Sequence, residues 1–112
     1  MDKLTDYQNF LKKILNEYEI ISAQVPDPDI DEVLMFDDQM SEYFWFNIGW
    51  KNKRRVKAIF VYVRLKNEKI YIEEDWTEEG ISELLREGVP SKDIVLAFHD
   101  PESRKFTDFA IA

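Results

Sequence analysis

The run AFHDPESRKFTDFAIA, residues 97–112, sets the single histidine, His99, beside Asp100 and follows them with Ser103 and Thr107. A histidine next to a carboxylate with hydroxyls a few residues on is the raw material of base-assisted nucleophilic chemistry. That chemistry needs the base within hydrogen-bond reach of the nucleophile and an orienting partner held in place. Adjacent residues of a strand point to opposite faces, so His99 and Asp100 would not pair if the strand ran through them. Ser103 and Thr107 lie beyond Pro101, outside any Gly-x-Ser-x-Gly elbow. The expectation is therefore that no catalytic residues are present and that the protein is not an enzyme.

Other chemistries fare no better. One histidine and no cysteine leave only carboxylates to hold a metal, and neither HExxH nor the calcium-loop spacing occurs. Glu73, Glu74 and Asp75, with Glu78 and Glu79, could hold a hard cation weakly; a solvated strand end followed by a helix cap accounts for them better. Asp75 is also where a carboxylate-based hydrolase would have to be sought. Gly49, Gly80 and Gly88 are too far apart for a phosphate-cradling loop. Zinc-finger and RNA-recognition patterns are absent, and a helix-turn-helix is hard to fit around the strands expected below. No metal and no cofactor are expected.

Charge is unevenly divided. Residues 1–50 carry three basic and eleven acidic side chains, residues 51–66 seven basic and none acidic, and residues 67–112 five basic and twelve acidic. A net charge of −8 opposes a polyanion at long range, so duplex binding is disfavoured unless the basic island acts locally. Lys51, Lys53, Arg54, Arg55 and Lys57 are its candidate anion or nucleic-acid residues. The plainer alternative is a set of solvated turn charges.

The terminal run reads instead as a clasp. Asp100-Pro101 opens a turn, and Arg104 and Lys105 are placed to reach the acidic strand end or the second helix. Phe106, Phe109 and Ile111 supply apolar anchors. A segment reading FAIA is expected to be covered, because an exposed apolar tail with an unpaired edge invites aggregation. Either it closes its own core or it docks on another chain. In the second case Arg104, Lys105, Phe106, Thr107, Phe109 and Ile111 are the partner-binding candidates.

The elements that would position these residues can be read in order. With 112 residues one domain, 1–112, can bury roughly two thirds of its unfolded surface around one core. The start MDKLTDYQNF has charges where a signal peptide needs apolar residues, and no run approaches the ~20 apolar residues of a membrane span, so a soluble, cytoplasmic protein is expected. Leu4, Tyr7, Leu11, Ile14, Tyr18 and Ile21 alternate spacings of three and four, widened by Phe10 and Leu15, which is an amphipathic helix. Its stripe packs on the protein's own sheet more readily than on a partner. VPDPDID cannot continue a helix or sit in a central strand.

Strands are then expected at 32–37, 42–50, 56–65 and 70–74, with turns at 38–40, 50–55 and 66–69, giving an antiparallel meander. In the second strand Phe44, Phe46, Ile48 and Trp50 share one face, expected to meet the core and the helix, and Tyr43, Trp45 and Asn47 share the other. Thr77 is a good N-cap, Glu78 and Glu79 suit the helix dipole, and Gly88-Val89-Pro90 is a stop. Ile81, Leu84 and Leu85 are the expected buried face of that second helix. The apolar run 94–98 reads as a strand covered on both faces. The class is α+β: an antiparallel sheet meander with an N-terminal helix and a second helix packed on it.

A family resemblance rests on motifs spread over nearly the whole chain: the MDKL start, IGW, RRV, IYIEED, TEEGI, LLREGVP, KDIVLAF and PESRKFTDFAIA. Through them the sequence resembles the XisI family, the fdxN element excision controlling factor proteins of cyanobacteria. The matching positions are Gly49, Trp50, Arg55, Asp75, Thr77, Glu78, Gly80, Ile81, Leu85, Gly88, Pro90, Asp93, Pro101, Arg104, Thr107 and Phe109. The third strand departs from the family, reading KAIFVYVRL where a Gly and a strand with His and Asp are usual, and Trp76 stands where Gly commonly precedes Thr-Glu. The resemblance implies a small α+β domain acting in programmed DNA excision during heterocyst differentiation, as an accessory to a serine recombinase and with a XisH-like partner. It does not imply that this chain cuts DNA. A homodimer is also compatible with these readings.

Overall fold

The computed structural model of the protein describes residues 2–77 and 80–112. Helix α1, Lys3–Ser22, begins at Asp2, whose carboxylate accepts from the Leu4 amide at 3.1 Å and so satisfies one orphan donor of the first turn. The expected stripe is the buried one: Tyr7, Leu11, Ile14 and Leu15 are enclosed, with Phe10 and Tyr18 packed against them. Leu4 and Ile21, at the two ends of the stripe, remain exposed.

A loop over 23–29 leads into β1, Ile30–Asp37, followed by β2, Glu42–Lys51, β3, Arg54–Lys66, and β4, Lys69–Asp75. These four strands pair in sequence order, all antiparallel. The two tighter hairpins turn on residues 52–53 and 67–68, and all four residues have positive φ, as a two-residue hairpin with the right twist requires. Helix α2, Gly80–Arg86, then carries the chain back to β5, Ile94–Leu96, which lies parallel to β4 at the sheet edge. The expected meander, two helices and α+β class are therefore what the chain forms, with β5 added in parallel to β4.

Three expectations are corrected. In β2 it is Tyr43 and Trp45 that enter the core beneath α1, where Tyr18 stacks on Trp45 at 5.8 Å; Phe44, Phe46, Ile48 and Trp50 point to the opposite face. Both faces of β2 are aromatic, so alternation alone could not choose between them. The choice follows from the register, in which Trp45 opposes Val61 and Phe46 opposes Ile59. Phe60 is thus an extra residue in β3, a bulge that brings its ring to 5.1 Å from Trp45. In α2, Leu84 is buried in the core but Leu85 is 43 % exposed, because so short a helix turns only one narrow line of side chains inward. The expected roles of Glu78, Glu79 and the Ile81 side chain lie outside the described residues. Finally, β5 stops at Leu96 instead of 98; its three residues are buried on both faces, as expected.

The ends of α2 behave as the sequence indicates. The Thr77 hydroxyl accepts from the Gly80 amide at 3.0 Å. At the other end the Val89 amide donates to Leu84 and that of Gly88 to Leu85, with Gly88 at φ 93°, a pattern that closes the last turn. Thr77→Ala should lower stability by about 1 kcal/mol, read as a shifted denaturant midpoint at unchanged slope; an unmoved midpoint would remove the cap assignment.

Asp93 ties the sheet edge to the start of α1. Its carboxylate accepts from the Tyr7 hydroxyl at 2.5 Å and pairs with the Lys3 ammonium at 2.8 Å. Burial pushes its pKa up, but the hydrogen bonds from Lys3 and Tyr7 outweigh it, and the net shift is downward from 3.8. A depressed carboxylate binds fewer protons folded than unfolded, so its stabilisation is complete above about 3.9 and disappears as pH falls through the lower folded value. Asp93→Asn should therefore flatten the fall of stability between pH 5 and pH 2, measured by urea titration across roughly that range. An acid limb as steep as that of the wild type would contradict this.

Candidate functional site

The terminal segment is built as a clasp around Arg104. Asp100 starts it by accepting from the Ser103 amide and hydroxyl, both at 2.9 Å. Those bonds, amide first, hold the Asp100 carboxyl below its usual range. One turn of 3₁₀ helix, Ser103–Phe106, follows. From it the Arg104 guanidinium turns inward and donates to three carbonyls: His99 at 3.0 Å, Ile111 at 3.2 Å and Ala97 at 3.3 Å. A planar fork of five donors is suited to gathering carbonyls from both sides of a loop.

The Thr107 hydroxyl donates to the Arg104 carbonyl at 2.9 Å and accepts from the Phe109 amide at 3.3 Å. Beyond it Phe109 packs on the core, and Ala110 bridges to Val95 in parallel, its amide donating to Ile94 at 2.9 Å. The unpaired edge of β5 is thus covered by the chain itself.

This geometry corrects one expectation. Arg104 and Lys105 do not reach the acidic strand end or α2; Arg104 is used within the clasp, and Lys105 pairs locally with Glu102 at 3.1 Å. The catalytic geometry weighed for the run is not formed either. The Ser103 and Thr107 hydroxyls donate within the turn, and the His99 ring lies against the Phe98 ring at 4.6 Å. The partner-binding candidates divide into two sets: Arg104, Thr107 and Phe109 build the clasp, while Phe106, at 89 % exposure, and Ile111, at 52 %, face solvent with Phe98.

The basic candidates are spread by the hairpin. Only residues 52–53 form its turn, so Lys51 and Arg54 are paired strand residues, as are Trp50 and Arg55, instead of members of the longer 50–55 turn. Lys51 and Arg54 lie on the helix face of the sheet, Arg55 and Lys57 on the opposite one, and Lys53 at the tip. Lys51 is already held by Asp27 at 2.7 Å, a hydrogen bond that raises the lysine pKa and lowers that of the aspartate. Arg55 lies over the Trp50 ring at 5.2 Å. Lys53, Arg54 and Lys57 are exposed.

The acidic candidates serve locally. Asp75 accepts from the Thr77 amide at 2.9 Å and its hydroxyl at 2.5 Å, Glu73 lies 4.0 Å from Arg64, and Glu74 accepts from Trp76 at 3.3 Å. Among the described residues no three Asp, Glu, His or Cys side chains come together in a way that could hold a metal. No helix among them is long and apolar enough to cross a membrane.

What sequence reasoning missed is the sheet face turned away from the helices. Met35, Phe44, Phe46, Ile48 and Ile59 line one apolar depression there, and Phe44 stacks on Tyr62 at 4.2 Å. The apolar residues on both faces of β2 were the signal that a second surface existed.

Comparison with known proteins agrees with the motifs. The family described as XisI protein matches residues 1–111. The crystal structure of fdxN element excision controlling factor XisI from Anabaena variabilis is 41 % identical, with a TM-score of 0.88 over 99 % of this chain and 100 % of that one. A XisI-like protein from the same organism is 34 % identical, with a TM-score of 0.89 over 97 % and 99 %. No curated protein matches the sequence.

Proposed function

Because this chain belongs to the XisI family, we propose that it is a non-enzymatic controlling factor for site-specific DNA excision, acting by binding a XisH-like protein that in turn serves a recombinase. A relative bearing the name excision controlling factor supports the excision context. The observation that carries the binding role is the terminal clasp. Arg104 fixes the segment, yet Phe98, Phe106 and Ile111 remain exposed, so three large apolar side chains of a positioned segment are presented to solvent. Exposed large apolar side chains held in a fixed arrangement suit a protein contact.

Co-expression with a XisH-like protein, followed by size exclusion with light scattering, tests this reading. A mixed complex that is lost on Phe106→Asp, in a variant that still folds, is the expected result. A mixed complex unaffected by that change would remove the patch as the contact, and no complex at all would remove the binding role.

The exposed hairpin keeps direct nucleic-acid binding as a second reading, since Lys53, Arg54 and Lys57 lie at its outer end. Affinity for duplex DNA that falls steeply with salt and disappears when the three are neutralised would support it. Undetectable association at low salt would dismiss it.

A further inference from the structure

We infer that the open sheet face over β1, β2 and β3 is the interface of a symmetric dimer, occupied by the same face of a second copy. One face of this sheet carries α1 and α2, and none of the described elements lies across the other. There the alternation places Met35 on β1, Phe44, Phe46, Ile48 and Trp50 on β2, and Ile59 and Tyr62 on β3. Met35 is 55 % exposed and Ile59 39 %. Toward β4 and β5 the same face is closed, since Tyr71 and Val95 are buried and the Lys66 ammonium caps the Tyr71 ring at 4.4 Å. The uncovered part is therefore bounded, apolar at its centre and rimmed by charge.

Its charges suit a copy of itself better than an unrelated surface. On this face β1 presents Asp31 and Asp37, β2 Glu42 and the aromatic side chains, and β4 Glu74, whereas β3 presents Arg55, Lys57 and Arg64. Within one chain these already pair: Arg64 with Glu42 at 3.4 Å and Arg55 with the Trp50 ring. A two-fold axis running along the strands lays β2 of one copy over β3 of the other. Arg64 then meets Glu42, and Arg55 the Trp50 ring, a second time across the axis, as an isologous contact demands, while the Lys57 stem lies over Ile48. Two chains of charge −8 repel over most of their surfaces, and residues 51–66, which hold no acid, form the region where that repulsion is offset.

The area is sufficient. Three strands about 4.8 Å apart and about 34 Å long offer roughly 500 Å² of sheet per copy. Two copies together bury about 1,000 Å², the lower bound for a specific contact. Face-to-face sheets pack in this way inside sandwich folds, with interdigitating side chains from the two inner faces.

Light scattering coupled to size exclusion, over about a hundredfold range of concentration, should return twice the 13.4 kDa of the chain. Met35→Glu and Ile59→Glu, each at an exposed position, should leave circular dichroism unchanged and raise the dimer dissociation constant by about 100-fold or more. Should Ile59→Glu fail to fold, Met35→Glu alone decides. A monomer at every concentration, including one that binds a different protein through this face, would overturn the inference. So would a dimer indifferent to both charges. The terminal patch is elsewhere on the molecule, so binding of a XisH-like protein survives or fails independently of this result.

Discussion

Gly49→Val should lower the unfolding free energy by about 3 kcal/mol, at the upper end of what overpacking costs. A Cβ at this position would sit 2.2 Å from the Asp29 carbonyl oxygen and 2.8 Å from the Ile30 Cα, both backbone atoms that no rotamer change can move. The Asp29 carbonyl also accepts from the Trp50 amide at 3.2 Å, and Ile30 is the register partner of Gly49. A side chain at 49 must therefore push β1 off β2 where the loop enters the sheet. Urea titration followed by tryptophan fluorescence reads this as a lower midpoint at unchanged slope. A loss below about 0.5 kcal/mol, the range of ordinary surface changes, would show that β1 yields more easily than its hydrogen bonds indicate.

Arg104→Ala is the second large effect, and it has a structural and a functional part. Removing the guanidinium leaves the His99, Ala97 and Ile111 carbonyls without their shared donor. Hydrogen bonds from a charged group contribute about 1.5–3 kcal/mol where they are shielded, and the partial exposure of these carbonyls places the expected loss near 2 kcal/mol. The segment after Thr107 should detach first, seen as faster amide exchange at Ala110, whose bond to Ile94 closes the sheet edge. The proposed complex with a XisH-like protein should be lost in the same variant, because Phe106 and Ile111 would no longer be held in one arrangement. Arg104→Lys is expected to recover little, since an ammonium cannot span three carbonyls as the planar fork does. If Arg104→Ala keeps both slow exchange at Ala110 and binding, the clasp is not what positions the patch.

The role of neither position is legible in the sequence alone. Gly49 and Arg104 both stand out in the resemblance to the XisI family, but the residues alone do not say why. The crowding at Gly49 comes from a loop twenty positions earlier in the chain. The charge of Arg104 points to acids, yet its partners are backbone carbonyls, which every sequence contains and none advertises. The basic island shows the same limit: five cations close together in sequence are distributed over two faces and a tip once the hairpin forms.

The local features were determined by the sequence itself. The spacing of Leu11, Ile14 and Leu15 dictates α1, the Thr77 hydroxyl and Gly88 bound α2, and the short polar turns dictate the meander, because each depends on contacts within a few residues. The same holds for the run 94–96, whose lack of any polar residue required cover on both sides. What only the tertiary structure decided is which face of β2 is inside. Tyr43-Phe44-Trp45-Phe46 is apolar in both directions, so period-two alternation has no preferred phase, and burial of either set removes similar area from water. The balance is tipped by non-local geometry: Tyr18 of α1 stacking on Trp45, and the bulge at Phe60 that keeps β3 in register beneath the helix. The face left over, with Phe44, Phe46 and Met35, is apolar for the same reason.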